Sequence, residues 1–309
     1  MRPIIHVNQL TKSYGNVRAV QGIDFEVQAG EIFAMLGPNG AGKSTTVEIL
    51  EGLRPRDGGD VSVLGIDPAR DANQLKAQIG VVLQQTAFPN KIRVVEVIEV
   101  YARLYHTTPN TKQLLERFAL TEKSNTFYAD LSGGQKQKLA LILAMINDPP
   151  IVFLDEPTTG VDAHSRRAIH DWLRQLRTEG RTVFLTTHYI YEAEQLADRV
   201  AIVAGGQIVR QGTLEEIGSG LAVDSEIRMR TRRPPDRGAL SKLPGVSIVE
   251  VENGTVCLRV VDLAQAITHL VRYLDSETNQ LIDISASRPT LEDVFLKLTG
   301  ERLAGEEDQ

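Results

Sequence analysis

The chain has 309 residues, enough for one large domain and a small one or for two of middling size. Its apolar and charged shares are those of an ordinary soluble globular protein, and a net charge of -6 offers no basic footing for nucleic acid. One cysteine, Cys257, excludes an intrachain disulfide. No apolar run approaches the ~20 residues of a spanning helix, and the N-terminus lacks the apolar core of a signal peptide, so a cytoplasmic chain is expected.

In chain order, the first 30 residues and residues 59–64 read as short alternating strands, fit for an antiparallel side sheet. The runs 32–36, 81–83, 151–154, 182–186 and 200–203 are almost wholly apolar, as strands of a parallel sheet covered on both faces are. Between them, residues 93–105 place Val94, Val97, Ile98, Tyr101, Leu104 and Tyr105 on one helical face. The alternation predicts an α/β core.

From about residue 222 the texture changes. Arg228, Arg230, Arg232, Arg233 and Arg237 gather around Pro234 and Pro235, which reads as a linker. Strands are predicted near 225–230, 246–251, 255–261 and 281–285, with a helix at 263–274, an order loosely ferredoxin-like. A last helix has Thr290 and Asp293 as a capping box, a stripe of Leu291, Val294, Phe295 and Leu298, and Gly300 to end it. The predicted division is 1–220 and 221–309.

Residues 37–44, Gly-Pro-Asn-Gly-Ala-Gly-Lys-Ser, match the phosphate-loop pattern G-x-x-x-x-G-K-[ST]. Gly37, Gly40 and Gly42 let the backbone turn so that its N–H groups converge on a polyphosphate. The helix starting near Gly42 adds its positive end, Lys43 a full charge, and Ser44 a hydroxyl for Mg²⁺. The strand 151–154 ends in Asp155, placed to hold Mg²⁺, and Glu156, which can polarise a water. Gln84 ends another apolar run and can bond both metal and water, and His188 follows 182–187 within reach of a phosphate.

The segment Leu131-Ser-Gly-Gly-Gln135 separates this chain from other phosphate-loop NTPases. It resembles the signature of the ATP-binding cassette (ABC) family, and that likeness covers about residues 4–220. The resemblance implies a nucleotide-binding domain with a RecA-like core, an antiparallel β subdomain and a helical subdomain, followed by a small α+β domain. It implies ATP and Mg²⁺ as ligands. Tyr14 looks like the aromatic that stacks on adenine. Gly37, Pro38, Asn39, Gly40, Ala41, Gly42, Lys43, Ser44 and Thr45 correspond to the ATP-binding loop. Glu156, His188 and Gln84 correspond to the catalytic positions, and Ser44, Gln84 and Asp155 to the Mg²⁺ ligands. Ser132, Gly133, Gly134 and Gln135 would meet ATP on a second copy of the chain, with Asp162 in the D-loop. Val161 and Ala163 stand where Leu and Pro are more usual; no reacting group is missing.

The expected partners follow from the same likeness: a second ATP-binding subunit and a separate transmembrane permease, which would hold the chain at the inner face of the membrane. Phe88, Pro89 and Ile92, in a loop after Gln84, are apolar and suit a docking surface. Thr-Thr-His-Tyr followed by Glu-Ala-Glu, and residues 288–300, resemble exporters of the daunorubicin-resistance type, whose substrates are drugs, antibiotics or lipids. That likeness implies a small accessory domain; dimer stabilisation or regulation is the role expected of it, with a mobile tail domain that binds an unknown ligand as the alternative. The rival is a soluble ABC ATPase acting on ribosomes or DNA. A second cassette, a long coiled-coil insertion and a basic excess would mark it, and the sequence has none of them.

Overall fold

A computed structural model describes residues 3–83, 88–218, 225–252, 254–287 and 290–300. They form two compact units, one of residues up to Leu214 and the other of Glu215–Arg302.

In the first unit, β1 (Ile5–Tyr14), β2 (Val17–Val27), β3 (Ile32–Leu36) and α1 (Lys43–Leu50) come first. Next are β4 (Gly58–Val63), α2 (Ala72–Lys76) and β5 (Ile79–Val82). Then α3 (Val94–Leu104), α4 (Thr111–Arg117) and α5 (Gly133–Ala144) form a helical layer. The unit closes with β6 (Ile151–Asp155), α6 (Ala163–Thr178), β7 (Thr182–Thr187), α7 (Ile190–Leu196), β8 (Arg199–Ala204) and β9 (Gln207–Gly212).

The main sheet runs β5-β6-β7-β3-β8-β9, parallel except for β9 at the edge. Its inner strands β3 and β7 are buried at every residue, which explains their unbroken apolar runs. Phe33 lies opposite Phe184 and Phe184 opposite Phe153, with ring centroids 5.5 and 5.7 Å apart. Phe25 of β2 stacks on Phe33 at 5.6 Å and joins the side sheet, ordered β2-β1-β4 and antiparallel, to the same core. Each ring contributes about 2–3 kcal/mol by burial, and each ring pair about 1 kcal/mol more.

Phe88 is half-buried against Tyr101 and Tyr128, with centroids 6.0 and 5.2 Å away and the rings nearly perpendicular. Its ring packs on the chain's own helical layer, whereas Pro89 beside it is exposed.

After α8 (Leu214–Gly218), the second unit has β10 (Ser225–Thr231), α9 (Arg237–Leu240), β11 (Val246–Glu252), β12 (Thr255–Val260), α10 (Leu263–Ser276), β13 (Leu281–Ser287) and α11 (Leu291–Thr299). Its antiparallel sheet runs β11-β12-β10-β13, the strand order of a ferredoxin-like β-α-β-β-α-β unit. Ala266, Leu270 and Leu274 of α10 share one core with Ile227, Met229, Leu258 and Val260.

The arginine-rich stretch is not a linker. Arg228 and Arg230 lie in β10, where Ile227 and Met229 alternate into the core, so the period-2 pattern outranks the charge. Arg233 donates to the carbonyls of Glu277 and Thr278 inside the same unit. α11 starts at the Thr290–Asp293 capping box and ends at Gly300, whose φ of 74° suits glycine.

Candidate functional site

Strand order assembles the site from distant segments. β7 lies between β6 and β3, and its register sets Asp155 opposite Thr186 and Leu36 opposite Thr187. The residues after those ends, Gly37, Glu156 and His188, therefore emerge side by side at the carboxyl edge, where open α/β sheets bind ligands.

At two of its glycines the loop after β3 has no room for a side chain. A Cβ on Gly37 would lie 2.3 Å from the Val203 carbonyl oxygen. One on Gly42, where φ is 100°, would lie 2.3 Å from that of Ala19. α1 then starts at Lys43 with no side-chain cap, leaving its first N–H groups for an anion. Lys43 is 4% exposed, and its Nζ donates to the carbonyls of Gly37 (2.8 Å) and Pro38 (3.1 Å). Nζ also lies 3.4 Å from Glu156 Oε1. Burial lowers the Lys43 pKa, opposed by the charges of Glu156 and Asp155.

Ser44 Oγ donates to Asp155 Oδ1 at 3.2 Å, and Thr186 Oγ1 bonds the same oxygen. Glu156 follows in the left-handed region, φ 49°, with its N–H held by the Thr186 carbonyl (3.2 Å) and hydroxyl (3.1 Å). Thr159 Oγ1 donates to Glu156 Oε2 at 3.2 Å. His188 Nδ1 is 3.1 Å from that oxygen, at pairing distance but off the line of a hydrogen bond. Burial pushes the Glu156 carboxyl up, but the His188 ring and the Lys43 ammonium outweigh it, and its pKa ends below the ordinary value.

Tyr14, Asn39, Gly40, Gly42, Lys43, Ser44, Thr45 and Glu156 line one pocket of about 440 Å³. The Tyr14 ring is 40% exposed, with the Arg54 guanidinium 5.2 Å from its centroid. Pro38 and Ala41 shape the loop through the Ala41 N–H to Pro38 carbonyl bond of 3.2 Å.

Ser132, Gly133, Gly134 and Gln135, all described residues, are not among those that line this pocket. Ser132 and Gln135 form a capping box at the start of α5: Gln135 N–H donates to Ser132 Oγ (3.3 Å), and Ser132 N–H to Gln135 Oε1 (3.0 Å). Ser132 and Gly133 are exposed, and Gly134 is buried against α6. A Cβ on Gly134 would meet Ser165 Oγ at 2.5 Å. Asp162 caps α6, accepting from Ser165 N–H at 3.0 Å, and that bond holds its carboxyl below the ordinary value.

Gln84 lies outside the described residues. Sequence reasoning missed Thr186, a polar residue near the end of an otherwise apolar strand, and that polarity was the available signal. It also missed Glu51, at the end of α1. Glu51 is 1% exposed, and neither carboxyl oxygen has a hydrogen-bond partner among the described residues. Burial, then the charges of Asp155 and Glu48, push its carboxyl up to about 9.

Residues 20–159 match the ABC transporter family model, and residues 212–299 match the C-terminal domain of DrrA1-3-like ATP-binding proteins. The chain is 36% identical to the daunorubicin resistance ATP-binding protein DrrA3 of Streptomyces coeruleorubidus, over 96% of each chain. It is 35% identical to the Nod factor export ATP-binding protein I of Rhizobium etli, over 97% of this chain and 94% of that one. Among solved structures, the dimeric post-hydrolysis state of the ATP-binding cassette MJ0796, bound to ADP and Pi, is 27% identical. It aligns at a TM-score of 0.62 over 68% of this chain and 98% of that one. With relatives of this identity matched over nearly their whole length, the chain belongs to the ABC transporter family as an ATP-binding, ATP-hydrolysing subunit.

Proposed function

We propose that two copies of this chain close head to tail around two ATP molecules, and that hydrolysis drives export of a drug, antibiotic or lipid-like compound through a separate permease. The observation that carries the reading is the exposed pair Ser132 and Gly133, at a helix start outside the chain's own nucleotide pocket. A second chain can bring such a helix start to the outer face of ATP. DrrA3 and the Nod factor protein are named for drug resistance and for export, which supports the direction. No described helix is long and apolar enough to cross a membrane, and we place the path in the permease, with this chain on its cytoplasmic side.

Within each pocket, Lys43 and the N–H groups of Gly37–Thr45 bind the phosphates, and Tyr14 stacks on adenine. The oxygens of Ser44 and Asp155, 3.2 Å apart, fit Mg²⁺, a hard cation that takes oxygen ligands. Bound there, Mg²⁺ would supply positive charge to the phosphate oxygens. Glu156, ionised at neutral pH, accepts the proton of the attacking water, and His188 holds Glu156 in place and reaches the terminal phosphate. We assign residues 221–309 an accessory role in dimer stabilisation or regulation. Removing them should weaken ATP-driven pairing or its control.

Complementation tests the shared pocket. Lys43→Ala spoils the phosphate loop and Gly133→Asp the signature, so each variant alone has no intact site. A mixture forms pairs with one intact site and should recover about a quarter of wild-type turnover, given statistical pairing in a two-fold dimer. A mixture no more active than its parts overturns the reading.

A further inference from the structure

Glu192 is a buried acid with no part in the scheme above. It is 2% exposed. Its Oε1 accepts from Thr158 Oγ1 at 2.9 Å and lies 3.2 Å from His170 Nε2. Thr158 and His170 are themselves buried.

The three residues join three parts of the reaction face. Thr158 lies in the loop between Glu156 and Asp162. Glu192 is on the first turn of α7, just beyond His188, and His170 is on α6. A second grip runs beside the first. Tyr189 packs on the His188 ring at 4.1 Å, lies 5.5 Å from the Arg166 guanidinium of α6, and donates its N–H to Thr187 Oγ1 at 3.0 Å. The two segments that face each other across the 3.1 Å Glu156–His188 contact are thus tied behind it by a buried carboxylate.

Packing alone does not ask for an acid here. Ala193 and Leu196, its neighbours on α7, are buried apolar residues. A carboxylate removed from water is costly unless paired, and an apolar residue of similar size is often as stable. A buried carboxyl group bonded to side chains on two other elements fixes where those elements sit.

We propose that Glu192 is a positioning residue for ATP hydrolysis: through Thr158 it sets the loop that carries Glu156 against the segment that carries His188. The proposal rests on the roles given above to those two residues.

The test uses the full chain with Mg²⁺ and ATP and reads kcat, KM and melting temperature. Thr158→Val keeps the shape and loses the hydroxyl. It should lower kcat about 5–10-fold and leave KM for ATP within about twofold, as for a group that acts only on the transition state. Thr158→Ser and Glu192→Gln keep the bond and should retain at least about half of kcat. Thr158→Val combined with His188→Ala should be no slower than His188→Ala alone, because both act through one unit. A Thr158→Val variant that melts earlier but keeps its kcat overturns the proposal, and so do effects that multiply in the double variant. If His188→Ala alone keeps full turnover, the role of the histidine fails, and Glu192 loses the group it is said to position.

Discussion

The ammonium of Lys43 lies 3.4 Å from the Glu156 carboxylate, with 4% and 7% of the two side chains exposed. The two groups to which we assign phosphate binding and water activation form one buried ion pair. On that assignment, a phosphate entering the loop would compete with Glu156 for the same ammonium and free the carboxylate toward water. Lys43→Ala should therefore lose both functions together. ATP affinity should fall by at least about tenfold, the scale of one charge-assisted contact, with no measurable hydrolysis. Titration calorimetry with ATP and a phosphate-release assay check this.

Glu156→Gln keeps the size of the side chain and removes its basicity. Turnover should fall by roughly 10²-fold or more, the usual scale of general-base loss. ATP binding should persist, and an ATP-bound pair should accumulate, visible by light scattering. Unchanged turnover would remove Glu156 from the role of base.

Gly134→Ala tests the signature. The added methyl would lie 2.5 Å from Ser165 Oγ and 3.2 Å from Asp162 Oδ2, so the start of α5 must move away from α6. The pocket of Lys43 and Ser44 is not lined by this residue. The variant should bind ATP within about threefold of wild type, a shift of well under 1 kcal/mol. It should fail to pair in its presence, as sedimentation can show.

Glu51 gives a pH dependence with a definite sign. Its carboxyl is raised from the ordinary 4.5 to about 9 in the folded chain. The folded state keeps a proton that the unfolded chain gives up, so this stability is full below pH 4.5 and is lost as pH rises toward 9. The linkage is on the order of several kcal/mol. Glu51→Gln removes it. The variant's advantage in melting temperature should be absent near pH 4.5 and reach several degrees at pH 8.5. A constant difference across that range would place the proton elsewhere.

The phosphate loop, the acidic strand end and the helix start at Ser132 were legible because each is a local pattern whose residues carry their own chemistry. The strands 32–36 and 151–154 were legible for the same reason: unbroken apolar runs need cover on both faces. The antiparallel edge strand Gln207–Gly212 was not, since its exposure alternates and its sequence is half polar. The strand near 225–230 was legible from the alternation of Ile227 and Met229, whereas the linker reading of the arginines and prolines failed because Arg233 is held by the carbonyls of Glu277 and Thr278, far along the chain. The partnership of Thr158, His170 and Glu192 was out of reach, because it depends on which strands lie side by side.

The main sheet also governs when the site can exist as the chain is made. Phe33 of β3 pairs with Phe184 of β7, roughly 150 residues later, and with Arg199 of β8 beyond it. As the N-terminal segments leave the ribosome first, the phosphate loop emerges long before the strands that flank it. A nascent chain halted before residue 182 would carry every glycine of that loop with no sheet edge to hold it, so nucleotide can stabilise the first unit only after synthesis has passed β8.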